Sequence, residues 1–245
     1  MLGYIISDKY RLFNIKNSEI KSFDILHKTD LNIFVIENNK VVYTNNIILN
    51  ASENGHIQVL EWYKNSGYEF KYDECAIYYA SKYGHFQILE WFKNSDYEFR
   101  YDEYATNLAS LHGHIQVLDW FKNSGYEFKY TESAINHASA RGHIQVLEWF
   151  KNSGYEFKYT VQAINKASYN GHVQVLEWFK NSDYEFKYDI DSIYGACHYE
   201  NIEILKFFSK NINIKKLIKW TGKNIFIKTL KFKTHHKYLK GYQKN

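Results

Sequence analysis

Residues 73–101, DECAIYYASKYGHFQILEWFKNSDYEFRY, are one copy of a pattern that also starts at 44, 102, 131 and 160, always 29 residues apart. A segment that recurs in register is one stacked structural unit, so its reading decides the fold. Asp73 is a residue of N-cap type, and so are its counterparts Asp102, Thr131, Thr160 and Asp189; each offers an oxygen to an orphan helix amide. Ala76, Ile77 and Ala80 then form a narrow apolar stripe, small enough for a neighbouring helix to come close. Gly84 supplies a left-handed stop. A second helical set follows at Phe86, Ile88, Leu89, Trp91 and Phe92, leaving Gln87, Glu90 and Lys93 for solvent. The pattern predicts a helix-turn-helix hairpin. Tyr97 to Tyr101 alternates aromatic and charged residues, which predicts a short extended connector with its rings on one side.

Leu60, Leu89, Leu118, Leu147, Leu176 and Leu205 share one site in the unit, and Trp62, Trp91, Trp120, Trp149 and Trp178 share another. Ala51, Ala80, Ala109, Ala138, Ala167 and Ala196 mark the first helix. A single unit cannot bury its own Trp and Phe, so neighbouring units must stack to make a continuous core. The expected fold is an all-α solenoid in three parts. Residues 1–43 form an N-terminal cap, with a degenerate half unit over 22–43 that puts Leu31, Ile33 and Val41 in the Leu, Trp and Phe places. Residues 44–188 are five complete units, and 189–245 a degraded sixth unit with a lysine-rich cap. The tryptophans read as buried mass.

The run from Ala80 to Phe92, ASKYGHFQILEWF, and its four counterparts resemble the ankyrin repeat, whose second-helix region reads A-A-x-x-G-H-x-E-V-V-x-L-L. The resemblance covers residues 44–208. The family's Thr-Pro-Leu-His opening falls on Cys75, Ala76, Ile77 and Tyr78, and three of those four positions depart from it. The interval of 29 is also shorter than the family's about 33. The missing residues fall between Gly67 and Ala80, so the β-hairpin finger is expected to be short or absent. Shortened, aromatic-rich repeats of this kind are similar to those of giant DNA viruses of amoebae, which implies a viral protein. The family implies a non-catalytic scaffold whose partner is set by surface residues.

No stretch of the chain approaches the roughly 18 consecutive apolar residues of a membrane span. The opening MLGYIISDKYRLFN meets charge too early for a secretory signal, so a cytoplasmic protein is expected. Cys75 and Cys197 lie four units apart, roughly 40 Å at about 10 Å per unit, and are expected to be free thiols. The chain carries a net charge of +4, yet residues 198–245 hold twelve lysines against Glu200 and Glu203, which leaves the first 197 residues acidic by six.

The octapeptide NSGYEFKY at 65–72, repeated at 123 and 152, has two readings. Its rings and lysines could stack bases and touch phosphates. Stacking would however set Glu69, Glu98, Glu127, Glu156 and Glu185 in a row beside the cations Lys71, Arg100, Lys129, Lys158 and Lys187, so packing between units is the favoured reading. His56, His85, His114, His143 and His172 follow glycine in each unit. At about 10 Å spacing they cannot share an ion, and a hydrogen-bonding role at the tight turn is expected. No phosphate loop, Cys-x-x-Cys or nucleophile elbow appears, so neither catalysis nor a cofactor nor a metal is expected.

The units disagree with one another mainly on one face of the first helix. Tyr79, Lys82 and Tyr83 become Tyr104, Leu108, Leu111 and His112, then His137 and Arg141, then Gln162, Lys166, Tyr169 and Asn170. Variation confined to one face of a copied scaffold, rich in residue types favoured at interfaces, points to a concave partner-binding surface for another protein, with the chain itself a monomer. The alternative is that exposed residues simply drift. A second functional reading gives the lysine-rich segment NINIKKLIKWTGKNIFIKTLKFKTHHKYLKGYQKN the role of binding nucleic acid or an anionic membrane, with the repeats as spacer.

Overall fold

The computed structural model describes residues 47–65 and 70–211 and five short strands between residues 2 and 43. Twelve helices are found among them: α1 Ile47–Glu53, α2 Ile57–Asn65, α3 Cys75–Lys82, α4 Phe86–Lys93, α5 Glu103–His112, α6 Ile115–Asn123, α7 Glu132–Arg141, α8 Ile144–Ser153, α9 Val161–Tyr169, α10 Val173–Asn181, α11 Ile190–His198 and α12 Ile202–Asn211. Odd-numbered helices are the first and even-numbered the second member of each hairpin. The chain separates into two compact units, residues 1–109 with 116–129 and residues 110–115 with 130–245. In the first, α1 packs on α3 and α2 on α4. In the second, α7, α9 and α11 pack in succession, as do α8, α10 and α12.

The predicted start and stop signals operate as written. Thr131, Thr160 and Asp189 are extended N-caps whose side chains accept from the amides of Ser133, Gln162 and Asp191. Asp73 and Asp102 accept in the same way from Cys75 and Tyr104. The cap residue is also gripped by the preceding hairpin. Asn136 Nδ2 donates to Thr160 Oγ1 at 3.0 Å while the Thr160 amide donates back to Asn136 Oδ1 at 3.1 Å. Asn165 and Tyr78 hold Asp189 and Asp102 from the equivalent position. These are the positions where the ankyrin-like opening noted in the sequence would carry histidine, so the altered opening has its own latch.

Alanine, isoleucine and leucine fill the core as expected, with Ala138, Ala167, Leu147 and Leu176 all at 0% exposure. The largest fully buried side chains are phenylalanines, one per unit: Phe92, Phe121, Phe150, Phe179 and Phe208. The tryptophans are not the buried mass expected of them. Among the described tryptophans, Trp91, Trp149 and Trp178 are only half-buried and Trp120 is buried. The cause is the polar indole nitrogen, which needs an acceptor. Trp120 Nε1 donates to Glu90 Oε2 at 2.7 Å, and Trp91 and Trp178 donate to Glu61 and Glu148. Each acceptor lies 30 or so residues back, on the preceding second helix, so Glu90 is a bond partner and not merely a solvated charge.

The half unit expected over 22–43 is not helical where the structure describes it. β4 (Phe34–Glu37) and β5 (Lys40–Tyr43) pair antiparallel, with Val41 opposite Ile36. Val35, Ile36, Val41 and Val42 are β-branched and flank Asn38-Asn39, a hairpin signature; Val41, 29 residues before the connector's Phe70, is extended as the connector is, while 34–37, in register with the end of a second helix, is a strand instead. Leu31 and Ile33 lie outside the described residues. Upstream, β1 (Leu2–Ile5), β2 (Arg11–Asn14) and β3 (Glu19–Lys21) form an antiparallel sheet in that order.

Candidate functional site

The octapeptide is structural in the copies the structure describes. Ser153 Oγ donates to the Phe150 carbonyl and accepts from the Tyr155 amide, and Asn152 caps the Glu148 carbonyl, so Asn-Ser finishes the second helix and turns the chain. Along 96–100 exposure alternates residue by residue, with Glu98 and Arg100 out and Tyr97 and Phe99 half-buried. The connector phenylalanine of one unit stacks on the connector tyrosine of the next. Phe70 lies 4.1 Å from Tyr97 and Phe99 4.6 Å from Tyr126; in the second compact unit Phe157 lies 4.0 Å from Tyr184. The second tyrosine packs on the core, as Tyr159 does on Phe179, and donates its hydroxyl to the next connector's glutamate carbonyl. Lys129, Lys158 and Lys187 then cover the rings of Tyr101, Tyr130 and Tyr159 at 4.6, 5.0 and 4.4 Å. Those rings are occupied on both faces or edges by protein, which removes the base-stacking platform.

The glycine-histidine pair is an inter-hairpin joint. His85 bonds the Glu53 carbonyl at 3.0 Å, His143 the Leu111 carbonyl and His172 the Ala140 carbonyl, each in the preceding hairpin. The ring lies directly over the preceding glycine: a Cβ on Gly142 would meet His172 Nδ1 at 2.8 Å. The hydrogen bond expected at the histidine's own turn is thus made to its neighbour's turn. Burial, above all, lowers the pKa of His143 and His172. A lowered folded value means that the stabilisation is present above the unfolded value of about 6.5 and is lost as pH falls through the folded one. The urea midpoint is therefore expected to drop between pH 7.5 and 5.5, and His172→Gln to flatten that dependence; an unchanged slope in the variant would contradict the assignment.

Among the described residues no group of three or more His, Cys, Asp or Glu is placed to hold a metal ion, and Cys75 and Cys197 are half-buried and not disulfide-bonded. No described helix is long and apolar enough to cross a membrane. The lysine-rich segment from 212 onward lies outside the described residues.

The first-helix face divides between the two compact units. In the first, the rings of Tyr79 and Tyr83 are nearly parallel with centroids 6.4 Å apart, and Lys82 Nζ sits 5.5 and 4.8 Å from them. Tyr83 and Tyr104 are 42% and 59% exposed, large for aromatics, whereas Leu108 is half-buried. In the second, His112, Arg141, Gln162, Lys166, Tyr169 and Asn170 are exposed, with Leu111 and His137 half-buried. His137 has its pKa lowered by burial first and then by the charges of Lys166 and Arg141, which places these three together. Asn170 is engaged structurally, donating to the Ala140 carbonyl at 2.7 Å. Tyr169 pairs with Tyr199, a residue of the degraded sixth unit, through ring contact at 4.3 Å and hydroxyl to hydroxyl.

No protein-family model and no curated protein matches this sequence. Among solved structures, the human ASB11 ankyrin repeat domain matches with a TM-score of 0.52 at 13% identity, over 69% of this chain and 85% of that one. The fold is ankyrin-like. At that identity the likeness speaks for architecture alone, and the ankyrin-like stack is built here with Asn136, Asn165 and Tyr78 as cap latches and with tryptophans tied to glutamates on the preceding second helix.

Proposed function

We infer that the chain is a non-catalytic, intracellular scaffold, monomeric by itself, that holds a protein partner on the face formed by its first helices. The observation that carries this reading is the contrast between faces. The connectors and second helices spend their rings and charges on inter-hairpin contacts, whereas the first helices leave Tyr83, Tyr104 and Tyr169 between 42% and 59% exposed. Exposed tyrosine beside arginine, lysine and histidine is the composition that supplies anchors in protein interfaces. Ankyrin-like architecture supports the same reading by analogy of fold.

The test is capture from the native cell by the intact chain and by a variant with Tyr79, Leu108, His137 and Tyr169 all changed to alanine. Loss of the partner is expected with the helical signal and melting behaviour retained. An equally folded variant that captures the same partner at the same affinity would overturn the assignment. Removal of residues 212–245 should leave capture intact; loss of capture with that truncation, steeply weakened by salt in the full chain, would favour binding through the lysine-rich segment.

A further inference from the structure

The reading above leaves the partner's chemistry open, and the second compact unit narrows it. Two of its three first helices open on an acid, and all three close on a basic residue type. Glu132 and Asp191 stand in the first turns of α7 and α11, and Arg141 and His198 in the last turns of those helices, with Lys166 in the last turn of α9. A cation in a last turn complements the helix dipole, and Arg141 and Lys166 both keep that charge exposed to solvent. Among the described residues no carboxylate lies within ion-pair distance of Arg141 or Lys166. Arg141 follows Ala140, whose carbonyl accepts from Asn170, the residue after Tyr169, and it stands one turn beyond His137 on α7; Lys166 stands one turn before Tyr169 on α9. Two exposed cations without a carboxylate partner are left to meet an anion from outside the chain. Beside them Tyr169 is laid against the backbone of α11: a Cβ on Gly195 would come within 3.3 Å of the Tyr169 Cα and Cβ. The tyrosine and its partner Tyr199, 47% and 48% exposed, make an aromatic ledge that begins one turn beyond Lys166 on α9 and one residue from the Asn170 bond to Ala140, the neighbour of Arg141.

Resting on the scaffold reading, we propose that Arg141 and Lys166 with the Tyr169–Tyr199 ledge dock an acidic segment of the partner protein. A carboxylate matches the planar fork of Arg141 in two parallel hydrogen bonds, with Lys166 as a second point charge, and the neighbouring apolar or aromatic side chain of the segment lies on the tyrosine rings.

The probe is a fluorescein-labelled peptide of four glutamates around one tyrosine, added to the full-length protein, with anisotropy read for binding and the imidazole NMR signal of His137, assigned as the one missing from His137→Gln, read for location. The peptide is expected to move the His137 signal. Arg141→Gln with Lys166→Gln, both exposed changes that leave folding intact, is expected to weaken binding about tenfold, whereas Lys180→Gln on a second helix leaves it unchanged. Absence of binding overturns the proposal, as does binding that ignores the double substitution or leaves His137 unmoved, since the lysines beyond 212 would then be the site. If the peptide result fails while the four-alanine variant still loses its partner, the acidic chemistry falls and the scaffold reading stands; if the four-alanine variant keeps its partner, the scaffold site falls whatever the peptide does.

Discussion

Phe179→Ala is expected to destabilise the second compact unit by about 3–5 kcal/mol, the range for deleting a fully buried aromatic ring, whereas Trp178→Phe is expected to cost about 1 kcal/mol. The two residues are adjacent and their rings are 5.0 Å apart, so the comparison isolates position in the hairpin from neighbourhood. Phe179 has 0% exposure and touches Phe157 and Tyr159 of the connector before it, so its loss opens a cavity at the joint between hairpins. Trp178 is half-buried and keeps its apolar contacts as phenylalanine; what it loses is one hydrogen bond to Glu148, whose carboxylate can turn to water. Urea denaturation of both variants measures the difference. Equal midpoints would mean that the tryptophan column, and not the phenylalanine column, carries the core.

Gly142→Ala is expected to cost more than Gly154→Ala although both residues hold left-handed backbone, at φ 76° and 86°. The shared part is the penalty of an L-residue in that region, about 1–2 kcal/mol. At Gly154 nothing lies within 4 Å of the added Cβ, so that penalty stands alone. At Gly142 the methyl meets the His172 ring at 2.8–3.1 Å, and moving the ring breaks its bond to the Ala140 carbonyl. A further hydrogen bond of about 1 kcal/mol is then lost in a half-buried place. Melting curves of the two variants give the ranking; the reverse order would remove the histidine from its joint. The degraded sixth unit shows the same position relaxed. Glu200 takes a left-handed φ of 53° where glycine stood, and Asn201 replaces histidine while still bonding the Ser168 and Tyr169 carbonyls.

How far the sequence reaches is visible in particular residues. Thr160, Gly84, Ala167 and Leu176 were legible because their roles are local: a cap, a left-handed stop and a helical period depend on a few neighbours along the chain. The connector's rings were legible for a different reason, since alternation with charge fixes which side faces inward. The strand at 34–37 departs from the helix end expected at that place in the unit, because β-branched composition beside Asn38-Asn39 outweighs repeat spacing, while 40–43 is extended as its connector register implies. The Asn136 to Thr160 latch carries a signal in retrospect, a polar residue recurring inside an otherwise apolar stripe at 107, 136 and 165.

By itself, then, the sequence determined the unit, its length, its caps and its packing period, because a 29-residue interval copied in register leaves only one way to keep its apolar faces dry. Only the tertiary structure decided which aromatic is core and which is rim, and which histidine, glutamate or lysine is spoken for. Those outcomes depend on atoms about thirty residues away: Trp120 finds Glu90, His172 finds Ala140, and Lys187 covers Tyr159, while Arg141 and Lys166 find no carboxylate among the described residues. Hydrogen bonding and charge pairing are short-ranged and directional, so which surface groups are spent on the fold and which remain for a partner follows from how the hairpins stack.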